Sequence, residues 1–325
     1  MRVFKNVIDK RTAAFGTNGQ PASRRRAMGW GVGALLAASL PAGSSASASA
    51  LAAPAGADAP VAYGLEEIER EHSARLGVYA RDTATGRTVS YRADELFPMC
   101  SVFKAPAVAA VLRDLDHDGE FLAGRIRYTD QDVADSGYAP VTGRPENLAG
   151  GMTVEDLCAA AISSSDNAAA NLLLRALGGP SAVTRFCRSI GDPTTRLDRW
   201  EPELNSAEPT RTTDTTSPYA IGRTYEELTL GSALAPADRT RLTDWLRATT
   251  TGEEKLRAGL PSGWGVADKT GSGRYGTSHD VGLAWPPGRP PVVIAVLTTK
   301  HDPDAAPDSP LIARTAALVA KALAP

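Results

Sequence analysis

Met99-Cys100-Ser101-Val102-Phe103-Lys104 is the stretch at which this chain changes character, from short alternating segments before it to an apolar helical run, Ala105 to Leu112, after it. A serine opens that run and a lysine follows three residues later. In a helix, residues i and i+3 share a face with Cβ atoms roughly 5–6 Å apart, so the hydroxyl of Ser101 and the amine of Lys104 can meet in one small site. A serine in a first helical turn also faces unpaired backbone N–H groups and the positive end of the helix dipole, which favour developing negative charge. This is the geometry for a serine nucleophile beside a nitrogen base. Taken alone, the pair equally fits a polar cap followed by a surface lysine. Lys104 is nonetheless alone among the lysines in having a serine three residues before it.

Before this stretch, Leu65 to His72 reads as the surface of a first helix, and Leu76 to Ala80 and Arg87 to Tyr91 as a hairpin around the turn Asp82-Thr83-Ala84-Thr85-Gly86, leading into Phe97-Pro98-Met99. After it, Pro106 is compatible with a helix because it lies in the first turn or so. Asp114 to Gly151 is polar and turn-rich, so short helices and loops are expected rather than sheet. Thr153, with Asp156 three residues on, caps a helix with an apolar stripe at Leu157, Ala160 and Ala161. A second helix follows the break at Ser163 to Asn167 and is closed by Gly178-Gly179, and Ser181 is expected to cap a third. Arg196 to Ser217 lacks hydrophobic periodicity, and a loop of that length inside a compact domain points to function. Helical segments cover Pro218 to Leu230 and Pro236 to Ala248. Gly265 to Lys269, Asp280 to Trp285 and Val292 to Thr298 then form an antiparallel meander, and Leu311 to Leu323 a closing helix.

Two strands near the start and three near the end, with helices between, give an α+β fold: an antiparallel five-stranded sheet flanked by helices, built from both chain ends, with an inserted all-helical subdomain. The expected organisation is an export signal and linker over 1–60 and a catalytic domain over 61–325. Its α/β part covers about 61–98 and 250–325, and its helical part about 99–249.

The chain has 325 residues, 42% hydrophobic and 22% charged, enough for a large core. A net charge of -2, with no basic patch interleaved with aromatics, argues against a nucleic-acid partner. Ser23-Arg24-Arg25-Arg26-Ala27-Met28, the apolar segment Gly29 to Leu40 and the small residues up to Ala50 have the layout of a twin-arginine export signal, with a cleavage region near Ala46 to Ala50. The apolar segment falls short of the ~20 residues that span a bilayer, so a secreted, extracytoplasmic protein without a permanent membrane anchor is expected. The 3 cysteines, Cys100, Cys158 and Cys187, leave at least one thiol unpaired in a monomer. The 4 histidines are scattered and the cysteines lack metal-ligand spacing, so neither a metal nor another cofactor is expected.

Four patterns stand in order along the chain: Ser101-x-x-Lys104, Ser165-Asp166-Asn167, Glu201-Pro202-Glu203-Leu204-Asn205 and Lys269-Thr270-Gly271. With their surroundings, Phe97 to Lys104, Asp198 to Asn205, Asp214-Thr215-Thr216 and Ala267 to Gly273, they closely resemble the class A serine β-lactamases over most of residues 64–325. The resemblance implies a monomeric hydrolase that opens the β-lactam amide of penicillins and some cephalosporins with a catalytic water, giving antibiotic resistance. Ser101 would attack the lactam carbonyl and form an acyl-enzyme. Its proton would pass to Lys104, if burial or the neighbouring cation Lys269 keeps that amine neutral, or to Glu201 through a water. Glu201 and Asn205, at i and i+4, would hold the water that releases the acyl group. Arg199 and Asp214 would pair across the neck of this loop.

By the same resemblance, Ser165 would relay a proton to the lactam nitrogen, Asn167 would bind the substrate's acylamide group and Asp166 would cap a helix. Lys269, Thr270 and Ser272 would hold the substrate carboxylate, Gly271 lying between them, and the backbone N–H groups of Ser101 and Ser272 would form the oxyanion hole. Tyr138 would wall the cleft. Two departures stand out. Where many members carry an arginine after Lys-Thr-Gly this chain has Ser278, and Lys255 is the candidate substitute. Cys158 matches half of a disulfide found in some members, but the partner position is Val108, so that bridge should be absent. Two rivals remain open: a penicillin-binding D-alanyl-D-alanine peptidase, which the Glu201 loop argues against, and a sensor domain that acylates without turnover.

Overall fold

The computed structural model describes residues 59–324. Helix α1 (Ala59–Glu71) starts some six residues before the expected Leu65 and buries Leu65 and Ile68. The hairpin β1 (Arg75–Asp82) and β2 (Thr88–Tyr91) follows as expected, its turn pinned by Asp82 Oδ1, which accepts the Ala84 N–H at 2.9 Å. The two-residue strand β3 (Phe97–Pro98) leads into a tight 3₁₀ turn, Cys100–Phe103, and only then into helix α2 (Lys104–Asp114). Every residue of α2 from Lys104 to Leu112 is buried, which accounts for a helix apolar on all sides.

Around this central helix lie short elements: α3 (Glu120–Ala123), β4 (Arg125–Ile126), α4 (Asp130–Ser136), α5 (Pro145–Gly150) and β5 (Met152–Thr153). The pairing of β4 with β5 is a small correction to a region expected to hold no sheet. It escapes sequence reading because two residues carry no periodicity. Helix α6 (Val154–Ser163) has the expected cap, Thr153 Oγ1 accepting the Asp156 N–H at 3.0 Å, and α7 (Asn167–Leu177) is capped by Asp166. Helix α8 (Ser181–Ser189) departs from expectation. Pro180 occupies the cap position with no side-chain bond, and Ser181 is already inside the helix.

The loop after α8 returns to the sheet side through β6 (Thr215–Thr216), paired with β3, and continues into α9 (Pro218–Thr229), α10 (Pro236–Arg247) and the single turn α11 (Leu256–Gly259). The meander β7 (Gly265–Ser272), β8 (Ser278–Trp285) and β9 (Val292–Thr299) and helix α12 (Ser309–Leu323) end the chain. The sheet order is β2-β1-β9-β8-β7, antiparallel throughout, so the two chain ends meet at the β1–β9 pair.

Both faces of this sheet are covered. Val281, Leu283, Val293, Ala295 and Leu297 join the core of the helical part, whereas Val78, Ile294, Val296 and Ala284 join a second core with α1, α11 and α12. Burial on both faces is why β9 reads as a continuous apolar run rather than an alternation. At Gly77 a Cβ would lie 2.5 Å from the Phe97 ring, so glycine lets β3 press against β1 immediately before the Ser101 turn.

Candidate active site

The Ser101 turn is held by its flanks. Cys100 adopts a positive φ of 45°, a conformation that costs a non-glycine residue energy and persists where surrounding structure enforces it. Met99 donates its N–H to the Asp214 carbonyl at 2.7 Å, and the Tyr225 hydroxyl of α9 donates to the Val102 carbonyl at 2.9 Å. Ser101 itself is buried at 7% exposure and Lys104 at 0%.

Glu201 is where these groups converge. Ser101 Oγ donates to Glu201 Oε1 at 3.3 Å, and Lys104 Nζ lies 3.2 Å from the same oxygen. The sequence left the acceptor of the Ser101 proton open between Lys104 and Glu201, and in the structure Ser101 and Lys104 meet at one shared carboxylate. The reason is twofold: Ser101 sits in the 3₁₀ turn before the helix, and an ionised carboxylate draws donors more strongly than a hydroxyl. Lys104 Nζ also donates to Asn167 Oδ1 at 2.6 Å and to the Ser165 carbonyl at 2.8 Å, and reaches Ser165 Oγ at 3.4 Å. Burial pushes the Lys104 amine down from its ordinary value and Glu201 opposes that shift.

Asp166 fixes the turn around Val141 and Thr142 beside this site. Its carboxylate accepts from the N–H groups of Val141, Thr142 and Ala169 and from the Thr142 hydroxyl. Asn167, expected to face substrate, has its amide engaged inside the protein: Oδ1 accepts from Lys104, and Nδ2 donates to the Ser136 carbonyl at 3.1 Å. Tyr138 stands at the rim, 54% exposed.

The Glu201 loop is tied at its neck and its tip. Arg199 Nε donates to Asp214 Oδ2 at 2.7 Å, as the sequence suggested, while Asp214 Oδ1 accepts the N–H groups of Asp198 and Arg199. Asn205 Nδ2 donates to Glu201 Oε2 from the 3₁₀ turn Glu203–Ser206. Two residues that sequence reasoning missed complete the hold. Asn171 of α7 brackets the Glu201 backbone, accepting its N–H at 3.0 Å and donating to its carbonyl at 2.9 Å. Arg211 reaches the Leu204 carbonyl and Ser206 Oγ. Asn171 could have been found as the residue at i+4 from Asn167, on the same helix face.

Strand β7 forms the opposite wall and runs through Ser272, three residues past its expected end. Lys269 is fully buried, and its amine, which donates to the Thr270 carbonyl at 3.0 Å, is pushed down to about 7 by burial first and by the charge of Lys104 second. Of the two influences expected on Lys104, burial is the one that dominates, and the charge of Lys104 in turn acts on Lys269. Thr270 Oγ1 lies 2.6 Å from Thr251 Oγ1, another residue missed from sequence. Lys255, 6% exposed, donates to the His279 carbonyl at 3.2 Å and joins Ser101, Asn205, Thr270, Gly271 and Ser272 around a cleft of about 410 Å³. Ser278 is fully buried opposite Ser272.

Behind β7 lies a second charged group. Arg257 donates to Asp268 Oδ1 at 2.8 Å, and Leu256 N–H donates to Asp280 Oδ2 at 3.1 Å. The remaining oxygens, Asp268 Oδ2 and Asp280 Oδ1, are buried without an N–H or O–H donor among the described residues, and each carboxyl acts on the protonation of the other. One proton between them satisfies both. Burial raises both groups, Asp280 well above its ordinary value, while Arg257 opposes the rise at Asp268, which places the proton on Asp280. Cys100, Cys158 and Cys187 are free, buried thiols.

The sequence profile of the family described as "Beta-lactamase enzyme family" matches residues 60–323. A beta-lactamase of Streptomyces lavendulae is 67% identical over 308 residues, covering 95% of this chain and 99% of its own length. The solved beta-lactamase of Streptomyces albus G superposes with a TM-score of 0.81 at 62% identity, over 81% of this chain and 99% of that one. A solved ancestral class A beta-lactamase gives a TM-score of 0.76 at 52% identity, over 81% and 99%. The chain belongs to the beta-lactamase enzyme family, and its sheet, helices and four motifs are those of the class A serine enzymes.

Proposed function

We propose that this protein hydrolyses the amide of β-lactams, penicillins and cephalosporins, through an acyl-enzyme on Ser101, and so confers resistance to them. The observation that carries the reading is the single carboxylate, Glu201, within reach of both the nucleophile hydroxyl and Lys104. Ser101 attacks the lactam carbonyl while its proton passes to Glu201, with Lys104, whose amine burial makes easier to neutralise, linking Glu201 to Ser165. Ser165 then delivers a proton to the departing lactam nitrogen. The backbone N–H groups of Ser101 and Ser272 stabilise the oxyanion. Lys269, Thr270, Ser272 and Lys255 receive the substrate carboxylate, Tyr138 walls the cleft, and Asn167 meets the acylamide side chain while holding Lys104.

For release, Glu201 and Asn205 hold a water against the ester. Asn205 Oδ1 is buried without a partner among the described residues, an acceptor available for that water. The loop's two-ended tether supports the same role, since a base that activates water must stay in place after the acyl group has arrived.

The reading includes a monomeric catalytic domain over 61–325 and twin-arginine export of the mature enzyme. The export segment, 1–60, lies outside the described residues apart from its last two positions. Among the described residues no helix is long and apolar enough to cross a membrane. The test is direct. Wild-type protein turns over a chromogenic cephalosporin, and Glu201→Ala accumulates a covalent adduct on Ser101, visible by intact mass, with deacylation slowed ~10³-fold. A single equivalent of product from the wild type would favour the sensor instead, and turnover of D-alanyl-D-alanine peptides with stable β-lactam adducts the peptidase.

A further inference from the structure

His279 has no role in the chemistry above, yet it meets the Lys269-Thr270-Gly271 strand, Lys255 and the segment that leads into Ser101. It lies on β8 directly opposite Gly271 of β7, and it is fully buried. Its ring fills the space that a side chain at Gly271 would take, since a Cβ there would lie 3.2 Å from His279 Cδ2. Nε2 lies 2.7 Å from the Pro98 carbonyl, and the Thr298 N–H of β9 donates to Nδ1 at 3.2 Å. Nδ1 also lies 2.9 Å from the Ser278 carbonyl, so it is the Pro98 contact that fixes a proton: a carbonyl oxygen can only accept, and Nε2 must therefore carry the hydrogen. The neutral ring is what its surroundings favour. Burial pushes His279 down to about 4 against the raising effect of the Pro98 and Ser278 carbonyls, and the charge of Lys255, whose amine donates to the His279 carbonyl, acts with burial.

Pro98 is the residue from which the active site is hung. It pairs with Thr215 at the neck of the Glu201 loop, and the next residue, Met99, donates to the backbone carbonyl of Asp214, whose side-chain carboxylate anchors Arg199. Ser101 follows two residues later. The Nε2–Pro98 bond is thus a side-chain link from the catalytic edge of the sheet to the segment that carries the nucleophile and steadies the base.

We propose that His279 is a positioning residue for this hydrolysis, its Nε2–H setting the distance between Ser101 and the Lys269-Thr270-Gly271 edge through the Pro98 carbonyl. The inference rests on Ser101 being the acylated residue, which wild-type turnover and the Ser101 adduct establish separately. Substitution can separate the two ring bonds. In His279→Gln the amide nitrogen occupies the place of Nε2 and keeps the Pro98 bond, whereas His279→Asn offers its amide at the place of Nδ1 and loses it. The single-turnover acylation rate of His279→Asn should fall by on the order of 10- to 100-fold, as expected for a sub-ångström to ångström displacement of a nucleophile, and His279→Gln should recover most of it. A folded His279→Asn that acylates at the wild-type rate overturns the proposal, as does an equal loss in Asn and Gln at matched thermal midpoints. Where neither variant folds, the wild type decides. Nitrogen-15 spectra of its histidines should show His279 as the Nε2–H tautomer with a slowly exchanging proton, and an Nδ1–H tautomer would overturn the assignment.

Discussion

The two faces of β7 bury comparable charge and do opposite things with it. On the face toward α2, Lys104, Lys269 and Glu201 are brought together: burial lowers both amines, and one carboxylate receives both Ser101 and Lys104. On the face toward α11, Asp268 and Asp280 share a proton and Arg257 neutralises what remains. Burying a charge is costly on either side. The first face leaves its groups able to exchange protons, while the second removes that freedom and serves to hold the strand and the Lys255 turn in place. The difference lies in the partners: behind β7 a guanidinium and a backbone N–H hold the two carboxyls beside the Lys255 amine, whereas in front of it two amines and one carboxylate surround the Ser101 hydroxyl.

The largest effect expected on this contrast is at the front. Ser101→Ala should lower kcat by ~10⁴-fold or more with an unchanged thermal midpoint, as for removal of a nucleophile that acts with its partners as one unit. A variant retaining a tenth of wild-type turnover would break the assignment of the front face as reactive. At the back, Asp268→Asn strips the carboxylate from Arg257 and should cost about 3 kcal/mol in a denaturant titration, with activity per folded molecule little changed.

Lys255 belongs to both faces, since it projects into the cleft from the turn that Asp280 anchors. Lys255→Ala should raise KM for a penicillin by on the order of tenfold, the loss of one charge-assisted contact, while kcat moves much less. The pH profile sharpens the same point. With Lys269 pushed down to about 7, its amine is charged below that pH and neutral above it, so KM for an anionic substrate should rise as pH increases through 7. A KM flat to pH 9 would show that substrate carboxylate binding does not depend on this charge. The smallest effect is expected from Asp280→Asn, where an amide N–H can stand in for the shared proton. A stability change below ~1 kcal/mol would support the protonated pair, and a loss as large as that of Asp268→Asn would contradict it.

Much of this was legible in the chain. The meander, the capped helices α6 and α7 and the central helix follow from local patterns, and the four motifs name the residues that the fold gathers into one cleft. Contacts between segments distant in sequence were not legible. Asn171 holding Glu201, Thr251 meeting Thr270, and the Asp268–Asp280 pair depend on which helix or strand lies beside which. The Ser101–Lys104 spacing showed proximity, but that a 3₁₀ turn carries the serine and a carboxylate from 100 residues away receives both groups came only from the fold.

The sequence by itself determined the order of elements, the sheet assembled from both chain ends, the four motifs and the family, because periodicity, caps and motif spacing are properties of neighbours along the chain. Only the tertiary structure decided which partner each proton has. Burial of Lys104 and Lys269, the convergence of Ser101 and Lys104 on Glu201, and the link from His279 to Pro98 arise where strands and loops far apart in sequence close over one another and exclude water. A pattern of residues can state which acids and bases are present, but their protonation follows from the desolvation and neighbours that packing supplies.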